Sequence, residues 1–225
     1  LPRDFAAIVR AFGLELPPDV MADAAVLAFT IECVDRRLDS IPDPMARQRF
    51  ALVVEERLAS LRDDAVELPA EAREWLDRLA DVLARRKIRD EFLPLVRDIF
   101  ANCEAMRTAR SGADYARCAG AEGRLMVEML LAVLGPHATP EFAGFMRRLA
   151  VPAELVDKFR DARRDFDAGE MAIAPGMVLR LRLIWSIARD LPALAARCIA
   201  RRGLASWGAR SLWLELRSGP GAVTR

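Results

Sequence analysis

Apolar residues recur three and four positions apart along almost the whole chain, and no strand-like alternation of apolar and polar positions persists. That period is the signature of helices that each bury one face. Prolines and glycines cut the pattern into segments. The segments predict helices over 3–12, 19–40, 44–62, 70–86, 88–110, 113–134, 140–168 and 176–201, with a short one over 204–216. Asp19 and Asp43-Pro44 suit helix starts, and Gly135-Pro136 suits a sharp stop. Pro94 and Pro152 fall inside helical patterns, where kinks or breaks are expected. The expected fold class is all-α: a single helical domain over 1–216, with a loose tail over 217–225.

Composition narrows the chemistry. The 225 residues are 53% hydrophobic and 30% charged, enough for one sizeable core. A net charge of +1 gives no reason to expect a nucleic-acid partner. The four cysteines form no C-x-x-C pair and read as reduced core residues of a cytoplasmic protein. One histidine, His137, is too few for a usual zinc site and lies in a loop-like stretch. No nucleotide-binding glycine motif is present, and no apolar run is long enough to span a membrane. Chemistry in this chain therefore falls to carboxylates, arginines and the lone tyrosine, Tyr115.

Aspartates four residues apart share a helix face, and "FRDARRDFDAGE" places Asp161 and Asp165 so. Asp35 and Asp39 repeat the spacing, as do Asp19/Asp23, Asp39/Asp43, Asp77/Asp81 and Asp157/Asp161. Such pairs arise readily on polar helix faces, so the spacing alone leaves a solvated face and a metal site both open. Two ionised carboxylates about 6 Å apart repel by roughly 3 kcal/mol at an effective dielectric of about 20. In a cleft that repulsion calls for a proton, an arginine or a divalent cation. Two facing helices with such pairs would suit magnesium and a diphosphate. Arg36, Arg37, Arg163 and Arg164 would then screen the acids or contact the diphosphate.

Three blocks give the chain a resemblance to the squalene/phytoene synthase group of the all-α isoprenoid synthases. "ELVDKFRDARRDFDAGEMAIAP" is similar to the second aspartate-rich helix, with Asp157, Arg160, Asp161, Asp165, Gly169 and Pro175 in family places. "DYARCAGAEGRLM" resembles the Tyr-then-Ala-Gly-x-x-Gly helix, through Tyr115, Ala119, Gly120 and Gly123. "LAFTIECVDRRLDS" looks like the first aspartate-rich helix, with Asp35 and Asp39. The chain departs from the pattern where Arg36 follows Asp35 and where Asp157 replaces an asparagine.

The resemblance implies an isoprenoid-synthase bundle around a central apolar cavity. It implies Mg²⁺ held by Asp35, Asp39, Asp161 and Asp165, and a prenyl diphosphate contacted by Asp157, Arg160, Arg36, Gly120 and Gly123. Tyr115 would act near the reacting carbons. The implied activity is Mg-dependent ionisation of the diphosphate, followed by condensation or related terpenoid synthesis. The alternative is an inactive synthase-like protein that serves as an assembly or interaction partner. For Tyr115 a core role stays open beside a cavity role, and for the glycines close helix packing stays open beside substrate access. The Arg-rich segment "MVLRLRLIWSIARDLPALAARCIARRG" reads as a terminal bundle helix or as a peripheral contact with the inner face of the membrane.

Overall fold

The computed structural model describes residues 3–59 and 68–200. Every regular element among them is helical: α1 (Arg3–Ala11), α2 (Pro18–Asp39), α3 (Pro44–Ala59), α4 (Ala70–Arg86), α5 (Arg89–Arg107), α6 (Gly112–Leu134), α7 (Pro140–Asp167) and α8 (Met177–Ala200). A single 3-10 turn, Gly135–His137, joins α6 to α7. The all-α expectation holds, and the predicted bounds fall within a few residues of these. The expected helix over 204–216 and the expected tail over 217–225 lie outside the described residues.

Local chemistry sets the helix ends. The Asp43 carboxylate accepts the backbone N–H groups of Met45 (3.2 Å) and Ala46 (3.1 Å), capping α3. Ser111 accepts Asp114 N–H at 3.1 Å and Thr139 accepts Phe142 N–H at 3.3 Å, capping α6 and α7. α2 instead opens on Pro17 and Pro18, with Asp19 in its first turn rather than at the cap. The helices α5 and α7 continue through Pro94 and Pro152 without a break. Each proline removes one backbone donor, a loss that the packing of both helices outweighs.

α6 is the hub, packed against α2, α4, α5, α7 and α8. Its apolar residues join all three core clusters. Val127 and Leu131 meet α1, α2 and α7; Met129 and Val133 meet α2–α5; Tyr115, Cys118 and Ala119 meet α5, α7 and α8. All four cysteines are free thiols. No helix among the described residues is long and apolar enough to cross a membrane.

A candidate acidic active site

The α2 pair and the α7 series come together. Asp35 and Asp39 from α2 and Asp157, Asp161 and Asp165 from α7 line one polar pocket. Period-four spacing puts each set on one helix face, and α6 holds the two faces around a common space. α6 adds Tyr115 and Glu122, and α5 adds Cys103, Met106 and Arg107. Asp35 and Asp161 thus share a pocket instead of facing opposite sides of the bundle.

A helix stop completes the wall. Gly169 has φ +77°, a conformation that costs glycine little. It lets Gly169 N–H bond to the Phe166 carbonyl at 3.1 Å and Glu170 N–H to the Asp165 carbonyl at 2.8 Å. These two bonds form a Schellman cap. The cap turns the chain so that Glu170 returns to the pocket beside the α7 aspartates.

Seven carboxylates, Asp35, Asp39, Glu122, Asp157, Asp161, Asp165 and Glu170, face three cations, Arg107, Lys158 and Arg164. Fully ionised, the lining would carry four negative charges in excess. Part of the charge is paired. Arg107 bonds Asp39; Arg164 bonds Asp161 at 3.0 Å and Asp165 at 3.3 Å; Lys158 lies 3.2 Å from Glu122 and 3.4 Å from Glu154. Asp35 has no ion-pair partner among the described residues.

Protons take up part of the rest. Loss of surrounding water pushes the Asp35 carboxyl up to about 6, with Asp39 and Glu122 adding to the push. Burial lifts Glu170 to about 7, reinforced by Asp39 and Asp165. Burial also raises Asp165, which is only 5% exposed, against the pull of Lys158 and Arg164. Desolvation pushes Tyr115 upward, so its hydroxyl keeps its proton.

The polar pocket adjoins an apolar one. Asp35, Leu38, Cys103 and Glu122 line both. Beyond them the second space, a cavity of about 60 Å³, is walled by side chains such as Val34, Leu79, Phe100, Met126 and Met129, from α2, α4, α5 and α6.

Four of the residues named from the sequence lie elsewhere. Arg36 is 63% exposed and bonds Glu32 at 2.8 Å on the wet side of α2. Arg160 is exposed on α7 and outside the pocket lining. Gly120 and Gly123 sit in the α6–α7 contact. A Cβ on Gly120 would meet Val151 Cγ1 at 3.2 Å, and one on Gly123 would collide with the Ala150 carbonyl oxygen. Close helix packing accounts for both glycines.

Arg107, Glu122, Lys158 and Glu170 belong to the site without having been singled out. Glu122 could have been found, because it lies two turns from Tyr115 on the same face of α6. The others depend on contacts between elements.

The donors suit a hard divalent cation in kind: all are carboxylate oxygens, in excess over local positive charge. Their present arrangement is the arginine-paired one. Among the described residues, no group of three or more His, Cys, Asp or Glu is placed to hold a metal ion. No protein-family model, curated protein or solved structure matches the chain.

Proposed function

We propose that this protein is a Mg²⁺-dependent isoprenoid synthase that ionises a prenyl diphosphate. One observation carries the reading: two aspartate-bearing helices converge on an acidic pocket that shares a wall with an apolar one. An amphiphile with a multiply charged head and a hydrocarbon tail matches that pair of spaces. A bundle of the isoprenoid synthase type with a central cavity is part of the same proposal.

Asp35, Asp39, Asp161 and Asp165 would hold the magnesium, which supplies a Lewis acid for the departing diphosphate. Arg107, Lys158 and Arg164 place permanent positive charge around the head group. The allylic C–O bond breaks, its electron pair leaves with the diphosphate, and an allylic cation remains on the hydrocarbon. Val34, Leu79, Phe100 and Met126 keep water from that cation. Protonated Tyr115 would donate a hydrogen bond at the polar end. Condensation with a second prenyl diphosphate, or reaction within one chain, follows from the same ionisation.

A second reading, an inactive synthase-like protein that partners another chain, is favoured by the arginine pairing of Asp39, Asp161 and Asp165. Release of diphosphate from farnesyl and geranylgeranyl diphosphate separates the two. The synthase reading expects release with Mg²⁺, none with excess EDTA, and a loss of at least about a hundredfold in Asp161→Asn, as for removal of a principal charge-stabilising group. Full activity in that variant removes Asp161 from the site. No release from either substrate, together with no binding of either, leaves the partner reading.

A further inference from the structure

α8 has two apolar faces, and among the described residues only one is covered. Leu179, Leu183 and Leu194 are buried on the side that packs against α6 and α7. On the opposite side Met177 (73% exposed), Leu181 (57%), Ile184 (48%) and Trp185 (69%) form a stripe at the helical period, continued by Leu191 and Ile199. A helix apolar on both sides is ordinarily buried on both. A contiguous exposed stripe of this kind marks a contact surface.

The charge around the stripe indicates what covers it. Arg182 and Arg189 flank one edge of the stripe and Arg180, its guanidinium 6.0 Å over the Phe159 ring, flanks the other; all three are exposed. The helix carries four arginines, Arg180, Arg182, Arg189 and Arg197, against one acid, Asp190. Asp190 is half-buried on the inner side, 3.4 Å from Arg189. The exposed face therefore offers apolar side chains and an excess of arginines, with Asp190 the one carboxylate of the helix, reaching Arg189 from the inner side. Pairing with a second copy about a two-fold axis would set arginine against arginine. Burial across a bilayer is excluded, because α8 is not apolar enough to span one.

We propose that α8 lies in the plane of an anionic lipid surface. The stripe enters the boundary between headgroups and acyl chains, and the arginine rims meet lipid phosphates. Trp185, with an apolar body and one N–H donor, suits that boundary. Twenty-four residues at about 1.5 Å each give a contact roughly 36 Å long. This assignment does not depend on the proposed activity.

The test is co-sedimentation of the full chain with two kinds of vesicle, phosphatidylcholine alone and phosphatidylcholine mixed with phosphatidylglycerol. Binding is expected to the anionic vesicles, weakly to the neutral ones, and to fall as salt rises. Replacing Leu181 and Trp185 together by serine should weaken it about tenfold or more. Replacing Arg182 and Arg189 by serine should weaken binding to the anionic vesicles roughly twentyfold and leave the neutral ones unaffected. All four side chains are exposed, so thermal melting of both variants should match the parent. Absence of binding to either vesicle, or binding indifferent to both variants, overturns the assignment. A dimer in analytical ultracentrifugation that Trp185→Ser dissociates also overturns it, in favour of a second copy on the stripe.

Discussion

At Lys158, burial and charge oppose each other at one atom. Burial alone would lower the pKa of its ammonium group, but Glu122 at 3.2 Å and Glu154 at 3.4 Å outweigh it and hold the value above its ordinary level. Lysine is therefore a fixed cation among the acids at any ordinary pH. Lys158→Met should destabilise the protein by about 3 kcal/mol, because it strands Glu122, which is 6% exposed. The double variant Lys158→Met/Glu122→Gln should recover most of that loss. Urea unfolding midpoints measure both, and equal losses in the two variants would show that the pair does not couple. This is also where sequence reading stops. The aspartate sets are legible because helix geometry puts their members on one face. Lys158 has one partner on its own helix, Glu154 four residues back, but its pairing with Glu122 and the placement of Glu170 and Arg107 come from contacts between elements, which no spacing within one helix reveals.

Among the elements, the contact between α6 and α7 decides whether the two acidic faces share a pocket. Gly123 sets its closeness, with the Cβ of Glu154 only 2.8 Å from where a Gly123 Cβ would stand. Alanine in a helix ordinarily gains about 1 kcal/mol over glycine. Here the overlap is with backbone, which cannot move aside, so Gly123→Ala should be net destabilising by about 2 kcal/mol. Gly120→Ala meets only side-chain atoms, of Val151 and Arg124, and should be close to neutral. Chemical denaturation of the two variants tests the contrast, and a stabilised Gly123→Ala would contradict it. The helices themselves were readable throughout, since period, caps and punctuation agree. At Pro94 and Pro152 local propensity asks for a kink or a break, and both helices continue unbroken because the tertiary packing of α5 and α7 outweighs the lost backbone bond.

Across the whole molecule, the acidic pocket makes stability depend on pH. Asp35 near 6 and Glu170 and Glu154 near 7 all sit above their ordinary values of 3.8 and 4.5. The folded state thus keeps protons that the unfolded chain releases between about pH 4 and 7, and linkage makes stability fall as pH rises through that window. Glu170→Gln should flatten the fall and be more stable than the parent near pH 8. Denaturation midpoints at about pH 5 and 8 check this, and a parent that gains stability over the range would contradict it.

The same excess charge predicts that a divalent cation binds when the acids are ionised. The most direct measurement is a calorimetric titration of Mg²⁺ at about pH 8 into the full chain mixed with inorganic diphosphate, for the parent, Asp35→Asn and Asp161→Asn. Saturable binding in the parent, weakened about tenfold or more in each variant, is the predicted result. Absence of Mg²⁺ binding in the parent, or equal binding in all three proteins, would contradict a metal–diphosphate site in this pocket.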